Sequence, residues 1–288
     1  MKLASFDIEG HRSWGVVEGH DVIDLGAILA ERYADLRSAI EARAYEEMRR
    51  AAARAPRHHL TAVIWLPPVW NPDKIICIGL NYEDHRKETA RPEAASPTVF
   101  TRFANSQTGH LREVILTHLS TQLDYEGELA IVIGTRGRYI ERASAAEYVA
   151  GYACYNDITV RDWQRHTHQF TPGKNFPGTG AFGPWMVTPD EVGDLGSLRL
   201  QTRVNGAVMQ SATLGQMIFN IARLIEYCSA FTRLEPGDVI VTGTPGGVGA
   251  QRTPPVWLKP GDVTEVEIDR VGLLRNTVAA EARADAHA

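Results

Sequence analysis

The sequence has few cysteines, no long hydrophobic run and no phosphate-binding P-loop. Cys77, Cys154 and Cys228 are its three cysteines, and their spacing argues against both a disulfide framework and a zinc knuckle. The motif G-x-x-x-x-G-K-[ST] does not occur, which weighs against ATP binding. No apolar run approaches the length of a membrane span, and the first residues lack the hydrophobic core of a signal peptide. We therefore predict a cytoplasmic protein with no membrane partner.

The sequence also lacks a strong excess of charge of one sign. Its formal net charge is −5, and acidic and basic residues are interspersed. This distribution provides neither a basic stripe that could follow a phosphate backbone nor a polybasic patch for a membrane. We therefore expect no nucleic-acid partner, whereas local positive charge would still allow a small anionic substrate.

The N-terminal region differs in pattern from the rest of the chain. Residues 1–66 combine short strand signals with a stretch of strong helix formers from about Leu25 to Arg54, and they are predicted to form a small α+β cap domain. Three prolines within residues 67–72 prevent regular structure and mark a linker.

Strand patterns dominate residues 73–280, which are predicted to form the second and larger domain. One helix is expected from about Leu214 to Phe231, where apolar residues recur at helical spacing. Asn205-Gly206 separates two strand patterns and predicts a two-residue hairpin turn, because both residues tolerate positive φ. Residues 281–288 are Ala-rich and charged and are expected to form a flexible tail.

Three acidic residues lie in segments that otherwise have the pattern of buried strands. Glu126 and Glu128 lie in the apolar run 123–134, and alternation along a strand points both side chains the same way, roughly 7 Å apart. Asp157 is the lone acid of a second apolar run, 151–159. Unpaired charges would cost several kcal/mol to bury, so a shared divalent cation is the simplest explanation. Oxygen ligands select magnesium, calcium or manganese over zinc.

Histidines occur in two contexts that could carry chemistry. His85 and Glu88 are three residues apart, so in a helical turn they share a face, and the carboxylate would orient the imidazole for taking a proton from water. The alternative is a solvated helix start, since such pairs are frequent on protein surfaces. His166 and His168 lie in a polar segment and are interpreted as surface groups rather than metal ligands.

Further polar residues could bind a substrate. Asp157, Arg161 and Gln164 would share one face if a helix begins near Asp157, and a guanidinium with an amide suits a carboxylate or an oxyanion. The alternative is a capping Asp paired with Arg161. Lys174 lies in a glycine- and proline-rich loop, where it could stabilise negative charge or simply be exposed. Thr244 follows a strand in a glycine-rich turn that could hold an anionic group.

These segments together resemble the fumarylacetoacetate hydrolase family, enzymes that act on acylpyruvates and related 2-oxo acids. The resemblance covers about residues 73–278. It is carried by Gly79-Leu80-Asn81-Tyr82 with His85 and Glu88, Glu126-Gly127-Glu128-Leu129, Asn156-Asp157 with Arg161-Asp162 and Gln164, Gly173-Lys174, Pro236-Gly237-Asp238-Val239-Ile240, and Thr242-Gly243-Thr244-Pro245. The family implies a β-rich α+β fold with a mixed β-roll or β-sandwich core, a small N-terminal domain and a homodimer.

The resemblance also implies roles for individual residues. Glu126, Glu128 and Asp157 would bind Mg²⁺ or Mn²⁺, with Ca²⁺ as a substitute. The implied catalytic residues are His85 and Glu88, which would activate water, and Lys174, Arg161 and Gln164, which would face substrate oxygens. The implied substrate-binding residues are Thr244, Tyr82 and Gly243. The sequence departs from many members at Arg102, where they have Lys, and at Pro177, where they have Asp.

The leading hypothesis is hydrolytic C–C cleavage of a 2,4-dioxo acid to pyruvate and a carboxylic acid. His85 would deprotonate the attacking water, and the C–C bond would break to an enolate. One alternative is decarboxylation of an oxaloacetate-like 2-oxo acid, or isomerisation of an unsaturated 2-oxo diacid, through the same enolate. Another is a non-catalytic, metal-dependent binder of organic acids. The sequence distinguishes these poorly, because specificity depends on loops.

Overall fold

The computed structural model describes residues 1–282, which form two main sheets with short helices. The strands are β1 Lys2–Ile8, β2 His11–Glu18, β3 Asp21–Asp24, β4 Arg57–His59, β5 Ile64–Trp65, β6 Ile75–Gly79, β7 Thr98–Arg102, β8 Gln107–Thr108, β9 Glu113–Leu116, β10 Leu123–Asp124, β11 Gly127–Ile133, β12 Val149–Asp157, β13 Thr159–Val160, β14 Gly180–Val187, β15 Arg199–Val204, β16 Ala207–Thr213, β17 Val239–Val241, β18 Val263–Ile268 and β19 Gly272–Ala280. The helices are α1 Gly26–Leu29, α2 Leu36–Glu41, α3 Tyr45–Ala52, α4 Glu83–Glu88, α5 Arg161–Gln164, α6 Thr171–Lys174, α7 Pro189–Val192 and α8 Ile221–Phe231. Most of the predicted tail, residues 283–288, lies outside the described residues.

The larger sheet joins the N-terminal strands to the rest of the chain. Its order is β4-β3-β2-β1-β14-β12-β11-β17-β6-β7, with β5 beside β1 and β8 beside β14. The N-terminal strand β1 pairs antiparallel with β14, where Leu3 lies opposite Met186. The division of the chain into a cap, a linker and a larger domain therefore stays a prediction, and the structure adds that one sheet runs through both parts.

Both faces of the larger sheet are buried at its centre, as β11 illustrates. Its side chains alternate, so Leu129 and Ile131 belong to one apolar cluster, which includes residues of the second sheet, β16-β15-β18-β19-β9. Ala130 and Val132 belong to the other cluster, which includes residues of α2 and α3. A strand covered on both faces reads as a continuous apolar run. The two packed sheets with short helices confirm the predicted β-rich α+β fold.

The predicted hairpin is present between β15 and β16. Asn205 and Gly206 have φ of 50° and 81°, as a type I′ turn requires, and the strands pair from Val204 opposite Ala207 to Arg199 opposite Thr213.

The predicted helical region near the N-terminus is divided, and one predicted helix is wrong in extent. The helical region predicted from about Leu25 to Arg54 is present as three separate helices, because Asp35 caps the start of α2 and Arg43, at φ 52°, interrupts the helical backbone before α3. The expected helix over residues 214–231 begins only at Ile221, where the Asn220 side chain accepts a hydrogen bond from the Arg223 N–H. Within the described residues, no helix is long and apolar enough to cross a membrane.

Candidate active site

The three predicted metal ligands meet because two neighbouring strands present them on one face. Gly127 lies opposite Asn156 in the antiparallel pair β11–β12, so one residue further along Glu126 faces Asp157, whose N–H donates to the Glu126 carbonyl at 2.8 Å. Glu128 follows two residues later on the same face. Carboxylate oxygens of the three residues lie within 4.8 Å of one another, and all three side chains are buried. Oxygens that share one hard cation at about 2.1–2.5 Å can be no further apart than about 5 Å.

Cations already neutralise two of the three carboxylates. Lys174 Nζ lies 2.7 Å from Glu126 Oε2 and 2.5 Å from Asp157 Oδ2. The Arg102 guanidinium donates to the other Asp157 oxygen and to the Ile158 carbonyl. Burial alone would lower the pKa of Lys174, but Asp157 and Glu126 raise it above its ordinary value, so the ammonium stays charged.

Glu128 is the carboxylate without a cation. Within residues 1–282, no Lys, Arg or His nitrogen lies within 4 Å of it, and its only hydrogen bond comes from the Gly243 N–H. Burial, together with Asp157 and Glu126, raises the pKa of Glu128 well above its ordinary value. By contrast, although burial opposes it, Lys174 and Arg161 lower the pKa of Glu126 to about 2. A buried acid that still lacks a counter-charge fits a site for a divalent cation, and the all-oxygen donor set fits a hard one.

Arg161 is held by an aspartate that the sequence reasoning missed. Its Nε donates to Asp124 Oδ2 at 2.8 Å, its Nη2 lies 2.7 Å from Glu126 Oε1, and its Nη1 donates to Gln164 Oε1 at 3.0 Å. Asp124 is fully buried and also accepts backbone N–H groups of Gly249 and Ala250. The signal was available, because Asp124 lies two residues before Glu126 in the same apolar run.

The His85–Glu88 pair lies on α4. His85 Nδ1 lies 2.7 Å from Glu88 Oε1, and Glu88 Oε2 accepts the Gly247 N–H at 2.9 Å. Since an ionised carboxylate only accepts, Nδ1 carries a proton, and in the neutral imidazole the lone pair is then on Nε2. The turn before α4 is fixed by Asn81, whose side chain donates to the Thr242 carbonyl at 2.7 Å and accepts the Phe219 N–H at 2.7 Å.

A cavity of about 790 Å³ opens beside these groups. The predicted site residues that line it are His85, Glu126, Glu128, Arg161, Gln164, Lys174 and Thr244. Asp157 is fully buried and does not line the cavity. Glu88 does not line it either, but it contacts His85, which does. The structure therefore brings two of the three predicted metal ligands, His85 and the predicted substrate donors Arg161, Gln164 and Lys174 around one space, with Asp157 and Glu88 directly behind them.

Three predicted substrate-binding residues have other contacts. The Gly243 N–H donates to Glu128, and the Thr244 hydroxyl donates to the Gly127 carbonyl at 2.9 Å. Gly243 has φ +98°, and a Cβ there would lie 2.6 Å from the Asn81 Cβ, so this turn requires glycine. Tyr82 lines a second cavity of about 240 Å³, and its buried hydroxyl has no hydrogen-bond partner in the described part of the chain. Substrate binding by these residues stays a prediction.

No helix begins near Asp157, which was the condition for Asp157, Arg161 and Gln164 to share a helix face. Asp157 ends β12, and α5 begins at Arg161, so these two residues do not share a helix face. They converge because β12, β13 and α5 follow one another around the same carboxylates. Lys174 reaches the cluster from α6 although Pro177 stands where many family members have Asp.

The comparisons with known proteins agree with this geometry. The family model "Fumarylacetoacetate (FAA) hydrolase C-terminal" matches residues 74–279. The chain belongs to the fumarylacetoacetate hydrolase family. The chain is 41% identical to the mitochondrial oxaloacetate tautomerase FAHD2A of Bos taurus over 265 residues, which is 90% of this chain and 84% of the relative.

Two solved structures share the whole architecture. A fumarylacetoacetate hydrolase from the psychrophile Exiguobacterium antarcticum is 39% identical, with a TM-score of 0.86, over 98% of this chain and 100% of the other. Maleylpyruvate hydrolase from Sphingobium sp. SYK-6, in complex with manganese (II) ion and pyruvate, is 29% identical, with a TM-score of 0.83 and the same coverage.

Proposed function

We propose that this chain is a divalent metal-dependent enzyme that transfers a proton at the carbon next to the carbonyl of a 2-oxo acid. Its first candidate reaction is keto–enol tautomerisation of an oxaloacetate-like acid. The observation that carries the proposal is that His85, oriented by Glu88, lines the same cavity as the carboxylates Glu126 and Glu128. The 41% identity to an oxaloacetate tautomerase supports this reaction.

Glu126, Glu128 and Asp157 would hold the cation, either Mg²⁺ or Mn²⁺. A divalent cation there would supply a Lewis acid that polarises the 2-oxo group of the substrate. Manganese in the maleylpyruvate hydrolase structure supports a metal of this kind.

The protein's own residues divide the remaining work. In the keto-to-enol direction His85 Nε2 takes a proton from carbon 3, and the enolate oxygen gains a proton, from the imidazolium or from solvent, to give the enol. In the reverse direction that oxygen loses its proton and the imidazolium returns one to carbon 3, while the Glu88 carboxylate stabilises the imidazolium. Lys174 and Arg161 have their nitrogens engaged by carboxylates and the Gln164 carbonyl, so they contribute their charge. Gln164 Nε2 makes no hydrogen bond to any described residue, so it can donate one to a substrate oxygen.

Hydrolytic C–C cleavage of a 2,4-dioxo acid is the second candidate, and likeness to a maleylpyruvate hydrolase structure favours it. In this reaction His85 takes a proton from a water that attacks the distal carbonyl. The C–C bond then breaks, and its electron pair goes to an enolate that is protonated to pyruvate, with a carboxylic acid as the second product. The homodimer and the cytoplasmic location predicted from the sequence stay predictions.

One assay separates the candidates. The purified protein is incubated with oxaloacetate enol, acylpyruvates and an unsaturated 2-oxo diacid, each with Mg²⁺, with Mn²⁺ and with a chelator. Metal-dependent loss of the enol absorbance without release of pyruvate or carbon dioxide supports tautomerisation, whereas pyruvate with a carboxylic acid supports hydrolysis. Carbon dioxide would indicate decarboxylation. Binding without any product, or full turnover by His85→Ala, would contradict the proposal.

A further inference from the structure

The two ends of the 790 Å³ cavity differ in charge. The acidic residues that line it are Glu126 and Glu128, and both are buried at its inner end. Arg91 and Arg165 also line the cavity, and both are exposed. Neither guanidinium makes an ion pair with any residue between 1 and 282, whereas Arg161, which lines the inner end, is paired with the buried Asp124. The outer end therefore has positive charge that the protein does not neutralise.

The positions of the two arginines follow from the elements that carry the site. Arg165 directly follows α5, and its N–H donates to the Arg161 carbonyl at 3.2 Å. Residues four apart share a helix face, so Arg165 lies about 6 Å further along the axis than Arg161. Arg91 follows α4, where Ala90 at φ 52° turns the chain and the Arg91 N–H donates to the Arg86 carbonyl at 3.1 Å.

These observations make the cavity asymmetric along the direction in which a substrate would lie. Its inner end has the metal ligands and Gln164, and its outer end has two guanidiniums. The rise over the four residues from Arg161 to Arg165, about 6 Å, is comparable to the distance between the two ends of a short dicarboxylic acid. Guanidiniums suit carboxylates because their donors form a planar fork.

We propose that Arg91 and Arg165 bind a second carboxylate at the distal end of the substrate, so that this site selects dicarboxylic over monocarboxylic 2-oxo acids. The inference rests on the proposed function, because it takes the inner end of the cavity as the place of the 2-oxo acid group. His166 and His168 line the same outer end. The imidazole of His166 packs on Trp163, with 4.9 Å between the ring centroids.

The test compares two unreactive probes, 2-oxoglutarate and 2-oxopentanoate. They have the same chain length and the same 2-oxo acid group and differ only in a distal carboxylate against a methyl group. Their dissociation constants are measured by calorimetry on the Mg²⁺-loaded full chain, for the unaltered protein, Arg91→Gln, Arg165→Gln and the double variant. Arg112→Gln is the matched control, because Arg112 is also exposed and makes no ion pair with a described residue but does not line the cavity.

In the unaltered protein, 2-oxoglutarate should bind about tenfold more tightly than 2-oxopentanoate, and added salt should reduce that preference. The double variant should bring the two affinities within about twofold, mostly by weakening 2-oxoglutarate binding, while Arg112→Gln keeps the preference. Equal affinities in the unaltered protein, or a preference that survives in the double variant, would overturn the inference and leave the proposed function intact. If neither probe binds in the presence of Mg²⁺, the proposed function fails and the inference fails with it.

Discussion

Glu128→Gln should stabilise the metal-free protein and reduce its stabilisation by metal, because it removes a buried negative charge that would be a metal ligand. Glu128 is 1% exposed, and within the described chain no cation lies within 4 Å of it. Glutamine has nearly the same shape and can still accept the Gly243 N–H, so the substitution removes a charge and little else.

The size of the effect depends on whether metal is present. The folded-state pKa of Glu128 is raised above its ordinary value of 4.5, so the folded protein favours the protonated acid. Stability from this group is complete below about pH 4.5 and is lost as the pH rises towards the folded-state pKa, at about 1.4 kcal/mol per pH unit. At neutral pH without metal, Glu128→Gln should therefore raise the free energy of unfolding by about 1–3 kcal/mol.

With metal the stability advantage of the variant should shrink. A cation that binds only the folded protein adds about 2.7 kcal/mol at a concentration of 100 times its dissociation constant. The unaltered protein should gain this stabilisation, and the variant, which lacks one anionic ligand, should gain much less.

Urea unfolding with Mg²⁺ and with a chelator measures both effects. Glu147→Gln is the control, since Glu147 is exposed and makes no ion pair among the described residues. An equal Mg²⁺ stabilisation of Glu128→Gln and the unaltered protein would refute the proposed ligand role. A metal-free variant less stable than the parent would refute the electrostatic reasoning.

Three further predictions test other contacts. Glu88→Gln leaves either His85 Nδ1–H or the Gly247 N–H without its acceptor, so kcat should fall about 10–100-fold while metal affinity is unchanged. Glu83→Gln, on the same helix, is the control and should not lower kcat. Steady-state kinetics measure kcat, and calorimetry measures the metal affinity. Lys174→Met leaves Glu126 and Asp157 facing each other without the ammonium, so it should lower the free energy of unfolding, measured in urea without metal, by about 3–5 kcal/mol. Lys259→Met, at an exposed lysine, is the control, and an equally small loss in both variants would show that the ion pairs of Lys174 are weak. Burial and Arg275 lower the pKa of His110 to about 4 from 6.5, and its Nδ1 accepts the Arg275 N–H, so the free energy of unfolding should fall as the pH drops from about 6.5 to 4. His110→Asn should reduce that slope, and an identical slope in urea titrations at several pH values would count against it.

Local sequence features determine several parts of the site by themselves. Alternation along a strand places Glu126 and Glu128 on one side, and a spacing of three residues lets His85 meet Glu88 within a helical turn. The Asn205-Gly206 turn belongs to the same group, because its backbone preference is a property of the two residues themselves. Such features depend on covalent geometry over a few residues.

Tertiary structure decided what these local features could not. The register of β11 against β12 sets Asp157 opposite Glu126, and Arg102 and Lys174 reach Asp157 from residues 55 and 17 positions away. The sequence pattern also did not predict where the helices end or which groups Gly243 contacts. Nor did it predict that Arg91 and Arg165 line one cavity. Sequence periodicity indicates which side of an element a residue occupies, but its neighbours there depend on strand register and on how distant segments pack.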